Sequence, residues 1–128
     1  MSIVYILQNG KKLDARHFLR YMEKKIKRTG KKFGIKQAKG VYCLDDAAIG
    51  IVYGLMAGKK ARLKKSAFLF CLRKELEIYG NLRKINFQFI KYKGLKLDIS
   101  KMLDELEKRH KEIKYSILKA QLQAASLS

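Results

Sequence analysis

The chain of 128 residues carries 30 Lys and Arg against 11 Asp and Glu, a formal charge of +19, with 48% hydrophobic residues and no proline. That length and apolar content fit one domain with its own core and exclude a disordered tail. The charge exceeds what solubility requires and repels itself, so it points to an anionic partner: RNA, DNA or an acidic membrane surface.

No apolar run reaches the roughly 18 residues of a membrane-spanning helix. The start, MSIVYILQNG, lacks the basic opening and long apolar centre of a signal peptide. Cys43 and Cys71 sit singly in apolar sequence, without zinc-site spacing. They read as buried reduced thiols, which suits a cytosolic compartment.

Ile3 to Leu7 reads as a short strand and Asn9-Gly10 as a turn. Leu13 to Phe33, LDARHFLRYMEKKIKRTGKKF, reads as one long helix with Asp14 as N-cap and Gly34 as C-cap. At roughly 100° per residue, Phe18, Met22, Ile26, Thr29 and Phe33 fall on one narrow face. Arg16, Arg20, Lys24, Lys27 and Lys31 fall opposite, and Lys25, Arg28 and Lys32 widen the basic face. Only Asp14 and Glu23 offset these charges. Like charges at i,i+4 destabilise an isolated helix by a few tenths of a kcal/mol per pair. A merely solvated face would interleave glutamate, so the stripe points to nucleic-acid phosphates. Twelve Lys and Arg but two acidic residues lie between Met1 and Lys39, which makes 1–39 the most basic segment.

Lys36 to Gly40 is a basic linker. Val41 to Leu44 reads as a short buried strand, followed by Asp45-Asp46 and an apolar helix from Ala47 to Met56 with Ala48, Ile51, Val52 and Leu55 on one side. Strand, tight turn and helix is a frequent phosphate-binding arrangement. Two carboxylates have the wrong sign for it, and Asp45 or Asp46 reads instead as the cap of a core helix. Gly58 to Lys65 is a loop or short strand whose Lys59, Lys60, Arg62, Lys64 and Lys65 form a second basic patch. Ser66 caps an expected helix from Ala67 to Tyr79, ended by Gly80, that buries Phe68, Cys71, Leu72 and Leu76.

Ile85, Phe87 and Phe89 alternate with Asn86 and Gln88, a strand pattern flanked by Lys84, Lys91 and Lys93. On an exposed sheet such aromatics would stack RNA bases; at period two they read better as core. Gly94 is a turn. Ile99 and Ser100 serve as staple and cap for a last helix to about Ala124. Its apolar stripe is Met102, Leu103, Leu106, Ile113, Ile117 and Leu118, with His110 at its edge, and 124–128 reads as a frayed tail. The chain therefore reads as α/β: a small single basic domain, 1–128, of three or four helices packed on a short sheet.

The stretch HFLRYMEKKIKRTGKKFGI resembles the segment ahead of the nucleotide-binding loop in tRNA 2-thiolation enzymes of the PP-loop ATPase family. Archaeal and eukaryotic members show a Cys-x-x-His-Phe end to a zinc ribbon, then a helix with the pattern Glu-Arg/Lys-Lys-Val-Arg-Arg-Thr-Ile. His17, Phe18, Tyr21, Glu23, Lys24, Lys25, Ile26, Arg28 and Thr29 match, and Asp14 stands where the cysteine would be. The likeness covers about twenty residues and extends loosely through Leu55. There VYCL, DDAAIG and IVYGLM stand for the family's strand, Ser-Gly-Gly-x-Asp-Ser loop and apolar helix. The serine and both glycines are replaced by Asp45, Asp46 and Ala47. In the family that loop brings backbone N–H groups close to the ATP pyrophosphate, which a carboxylate repels. The catalytic cysteine pair and the Cys-x-x-Cys motifs are absent. The resemblance implies a shortened relative that has lost adenylation chemistry and kept a basic helix facing tRNA.

Other chemistry finds less support. His17 with Asp14 falls short of a metal site. A two-metal nuclease built on Asp45, Asp46 and Glu75 or Glu77 is unspecified, because adjacent acids point in different directions on a regular element. A cysteine nucleophile would need His17 or His110 beside it. Membrane-surface binding would use the apolar face that the first helix needs for the core, and the chain has no Trp. The expectation is a cytoplasmic, non-catalytic RNA-binding protein, on tRNA, rRNA or a ribonucleoprotein, with no cofactor, metal or membrane. Its contacts would be the basic residues of the first helix and of 59–65. The alternatives are a tRNA-modification enzyme or subunit that still binds a nucleotide or a sulfur carrier, and a DNA-binding protein.

Overall fold

Asp14 sets the start of the first helix: its Oδ1 accepts the His17 backbone N–H at 2.9 Å, and α1 runs Ala15–Lys27. The structure, a computed structural model, describes residues 2–127, with Ser126 and Leu127 described by backbone alone. α1 stops at Lys27, short of the predicted Phe33. Gly30, at φ +71°, takes the left-handed position that turns the chain away, and its N–H donates to the Lys27 carbonyl. Gly34 is extended, and precedes a 3-10 turn at Ile35–Ala38. Phe33 still reaches the core, but from a loop, edge-on to Phe68 at 5.1 Å.

The predicted sheet shrinks to a hairpin. β1 (Tyr5–Ile6) pairs antiparallel with β2 (Lys12–Leu13) around the Asn9-Gly10 turn. Elsewhere among the described residues there is a single parallel bridge, Val41 to Phe89. Gly40 is left-handed and a helix begins at Leu44, so the chain between them is too short to extend a ladder. Phe87 is nevertheless buried, with Ile85 and Phe89 packed beside it, as the core reading of those alternating residues requires. The domain is thus mostly helical, with five α-helices among the described residues rather than three or four.

α2 (Leu44–Ala57) is the central element. It buries Leu44, Ala47, Ala48, Ile49, Ile51 and Gly54, and a helix apolar on most sides must be packed from several directions. α4 (Leu95–Arg109) and α5 (Ile113–Leu127) both pack on α2. α1 and α3 (Arg73–Arg83) pack on each other and enclose a second cluster that includes Phe18, Met22, Phe68, Leu76 and Phe87.

α2 starts at Leu44, not Ala47, so that Asp45 and Asp46 fall in its first turn, and α3 also differs from its predicted bounds for local reasons. α3 starts at Arg73, not Ala67, because Glu75 turns back and accepts the Leu72 N–H at 2.9 Å. Ser66 caps only a turn, accepting from Phe68 N–H at 3.1 Å and donating to the Tyr42 carbonyl at 2.6 Å. Gly80 does not end the helix. It lies within α3, where an added Cβ would stand 2.6 Å from the Ile85 carbonyl, so it permits a close crossing.

The single last helix is two, starting at Leu95 and broken at His110. Leu103 packs by Ala48 and Ile49, and Leu118 by Leu44, Ala47 and Ile51. A straight helix would hold those two leucines about 22 Å apart along its axis. The break brings both onto one stretch of α2. Residues 124–127, expected to fray, continue α5; Ser128 of that tail lies outside the described residues.

Candidate nucleic-acid interface

The capped start and apolar seam of α1 fix where its charges point. Phe18, Met22 and Ile26 are buried, while Arg16, Arg20, Lys24 and Lys27 are all exposed on the opposite side. Glu23, the one acid within α1, pairs with Arg83 at 2.8 Å. Among the described residues none of the four cations has a carboxylate within ion-pair distance. Lys31 and Lys32 are exposed too, but lie past the helix end and leave its row.

Lys25 and Arg28 have partners of their own. Lys25 Nζ sits 2.8 Å from Oε1 of Glu75, a side chain with no exposure, and 4.5 Å over the Tyr21 ring. Arg28 remains exposed, yet its guanidinium lies 4.5 Å over Phe70 and donates to Tyr115 Oη at 3.3 Å. That hydrogen bond holds the Tyr115 phenol below the ordinary tyrosine pKa. Sequence spacing carries no signal for this arrangement, since Arg28 and Tyr115 come from opposite ends of the chain.

Residues 59–65 form an irregular strip with no regular secondary structure. Ala61 and Leu63 pack against the α2–α5 core, and Lys60, Arg62 and Lys64 alternate outward with them. Lys59 and Lys65 flank the strip and are exposed as well; Lys64 Nζ lies 6.0 Å from the Tyr42 ring centre.

The start of α2 carries the acids. Asp46 accepts the Cys43 backbone N–H at 2.8 Å and a hydrogen bond from Tyr92 Oη. It is the capping carboxylate of a core helix, as one reading of the sequence has it. Burial and the Asp46 contact hold the Tyr92 phenol protonated well above its ordinary range. Asp45 accepts the Arg73 N–H at 2.8 Å and Lys114 Nζ at 2.6 Å. Glu75 binds Lys25, Tyr21 and Leu72, while Glu77 meets Arg73 at 3.5 Å. The four acids considered for a two-metal site are thus each held in a capping or ion-pair contact, with Asp45 and Glu77 both meeting Arg73.

Among the described residues no group of three or more His, Cys, Asp or Glu is placed to hold a metal ion. Both cysteines are buried and unpaired with each other. Burial, then Glu75, pushes the Cys71 thiol up to about 12. Burial, then Asp46 and Asp45, raises Cys43 further. A thiol so shifted carries almost no thiolate at neutral pH and makes a poor nucleophile. His17 is exposed and bonds Asp14 at 2.9 Å through Nδ1; His110 is exposed at the α4–α5 break.

No helix among the described residues is long and apolar enough to cross a membrane. No protein-family model, curated protein or solved structure matches the chain.

Proposed function

We propose that the chain is a non-catalytic RNA-binding protein of the cytoplasm, acting on tRNA or another structured RNA and gripping its phosphates with α1. One observation carries this reading: Arg16, Arg20, Lys24 and Lys27 stand exposed in a row, without carboxylate partners among the described residues. Such a row destabilises a free helix and becomes favourable when phosphates exchange their counterions for it. The outward cations of 59–65 add a second contact. Phosphate contacts of this kind position a nucleic acid without reading its sequence.

The likeness of α1 and the start of α2 to tRNA 2-thiolation enzymes supports tRNA as the partner. The Asp45 and Asp46 carboxylates at the start of α2 support a relative without adenylation chemistry, because they stand where a pyrophosphate would need bare N–H groups.

Fluorescence anisotropy with a folded tRNA transcript and a DNA duplex of equal length, across a salt series, tests the proposal. Four phosphate contacts give log affinity a slope of about −3 against log salt, with RNA bound more tightly than DNA. A flat response removes the electrostatic argument. Tighter binding of DNA moves the reading to a DNA-associated protein.

A further inference from the structure

Where the hairpin, the end of α1, the turn at 67–70 and the start of α5 meet, a cleft of about 400 Å³ opens. That is within the range of about 300–1,000 Å³ typical of small-ligand sites. Its walls are aromatic. Tyr5 and Tyr21 stack at 6.0 Å and 27°. Phe70 and Tyr115 form another part of the lining, with the Arg28 guanidinium 4.5 Å from one ring centre and 5.8 Å from the other. All four rings are only partly buried, unlike Phe18 and Phe68 in the core. Arg28 and Lys111, both exposed, bring positive charge to the same cleft, and with Lys25 and Lys114 they outnumber its one carboxylate among the described residues, Glu112.

A phosphate alone would use these cations and leave the rings without a role. A purely apolar ligand would use the rings and strand the cations. A nucleotide uses both: bases stack on aromatic side chains and on guanidinium planes, and the phosphate meets a lysine. The larger neighbouring cavity, about 750 Å³, mixes acids such as Glu77, Asp104 and Glu107 with the cations Arg73, Lys74 and Lys108, and has one aromatic side chain, Tyr5, among the described residues of its lining.

We infer that the 400 Å³ cleft holds one unpaired nucleotide, its base against the wall of Arg28, Phe70 and Tyr115 and its phosphate beside Lys111. The inference rests on the proposed RNA binding and adds a base contact to it, so that the protein grips a strand by phosphates on α1 and captures a base alongside.

The test uses three probes on the full chain: short single-stranded oligoadenylate, its abasic ribose-phosphate counterpart, and free AMP. Anisotropy reads strand affinity, and NMR reads the Tyr115 ring signals. Oligoadenylate should bind roughly tenfold or more tightly than the abasic strand, the size of one stacked base. Tyr115→Ala and Arg28→Gln should each erase that gap, while Tyr115→Phe, which keeps the ring, should preserve it. A shift of the Tyr115 signals by AMP assigns the cleft to free nucleotides as well; a shift by oligoadenylate alone assigns it to a strand. Both support the site. Equal affinity for the base-bearing and abasic strands, with steep salt dependence intact, overturns the cleft and leaves the phosphate-binding helix standing. No strand binding, with AMP still shifting Tyr115, overturns the RNA reading and keeps the cleft as a nucleotide site. No response to any probe overturns both.

Discussion

Lys25 Nζ lies 2.8 Å from Glu75 Oε1, and the Glu75 side chain has no exposure to solvent. The same carboxylate accepts Tyr21 Oη at 2.6 Å and the Leu72 N–H at 2.9 Å. One acid thus ties α1 to the start of α3 and draws one cation out of the basic face.

That relationship separates Lys25 from its neighbours. Removing one member of a buried, hydrogen-bonded ion pair costs roughly 3–5 kcal/mol, because the other charge is left unpaired. Lys25→Gln should therefore lower stability in urea denaturation by a few kcal/mol, toward the low end of that range because Lys25 keeps some exposure. RNA affinity of the folded protein should hardly change. Arg20→Gln should do the reverse. Equal effects of the two substitutions on affinity would mean that Lys25 leaves Glu75 to meet phosphate.

Charge reversal tests the row itself. Arg20→Glu with Lys24→Glu should weaken RNA binding about tenfold or more, since attraction becomes repulsion at two phosphate positions. Stability should hold or rise, because like-charge crowding on α1 is relieved. Parent-like affinity at the same salt would exclude α1 as the contact. The parallel change of Lys60, Arg62 and Lys64 to Glu would then show whether the 59–65 strip carries the binding.

Packing on the other face of α1 should behave differently. Met22 is fully buried, and Met22→Ala should cost roughly 2–5 kcal/mol while leaving phosphate contacts unchanged in the folded fraction. Gly80→Ala places a Cβ 2.6 Å from the Ile85 carbonyl and 2.9 Å from a Phe87 ring carbon, and should cost about 1–3 kcal/mol. Chemical denaturation measures both.

Lys114 predicts an alkaline limit. It is 4% exposed and lies 2.6 Å from Asp45 and 2.8 Å from Asp104. Burial alone would lower its pKa, but the Asp45 charge and the two hydrogen bonds outweigh burial and raise it. A raised folded-state pKa gives stability that is full below the ordinary lysine value of about 10.4 and lost as pH rises through the folded-state value. Tyr21, raised by burial and then by Glu75, acts with the same sign above its ordinary value of about 10. The parent should thus lose stability as pH rises above about 10. Lys114→Met should be less stable at neutral pH and show a shallower loss in the alkaline range. Parallel curves for the two proteins would exclude Lys114 from this transition.

With ATP, magnesium and tRNA together, no pyrophosphate should be released. Release that depends on residues around Asp45 would restore the reading of a tRNA-modification enzyme.

The start of α1 and its two faces were legible in the sequence, because Asp14, the apolar seam and the basic row all lie within one local, periodic stretch. Chain periodicity reports which side of a helix faces the core and needs no distant partner to do so. For α2 the apolar run and the capping acid were legible, but not its start at Leu44 rather than Ala47, nor the exposure of Leu55. Where helices end was less legible: Gly30 and Gly34 are both reasonable stops by type, and the backbone geometry around Gly30 decided between them. The alternating residues 85–89 carry a strand pattern, but a strand needs a partner of matching length, and the partner at Val41 enters a turn too soon. Only tertiary structure could split the last helix, because the reason lies in α2 receiving Leu103 and Leu118 on one stretch. Only tertiary structure, likewise, could commit Lys25 to Glu75 and stack Arg28 on Phe70 beside Tyr115. Composition counts these cations as equal. Their roles differ because long-range packing sets a buried carboxylate beside one, aromatic rings beside another, and leaves Arg16, Arg20, Lys24 and Lys27 facing solvent.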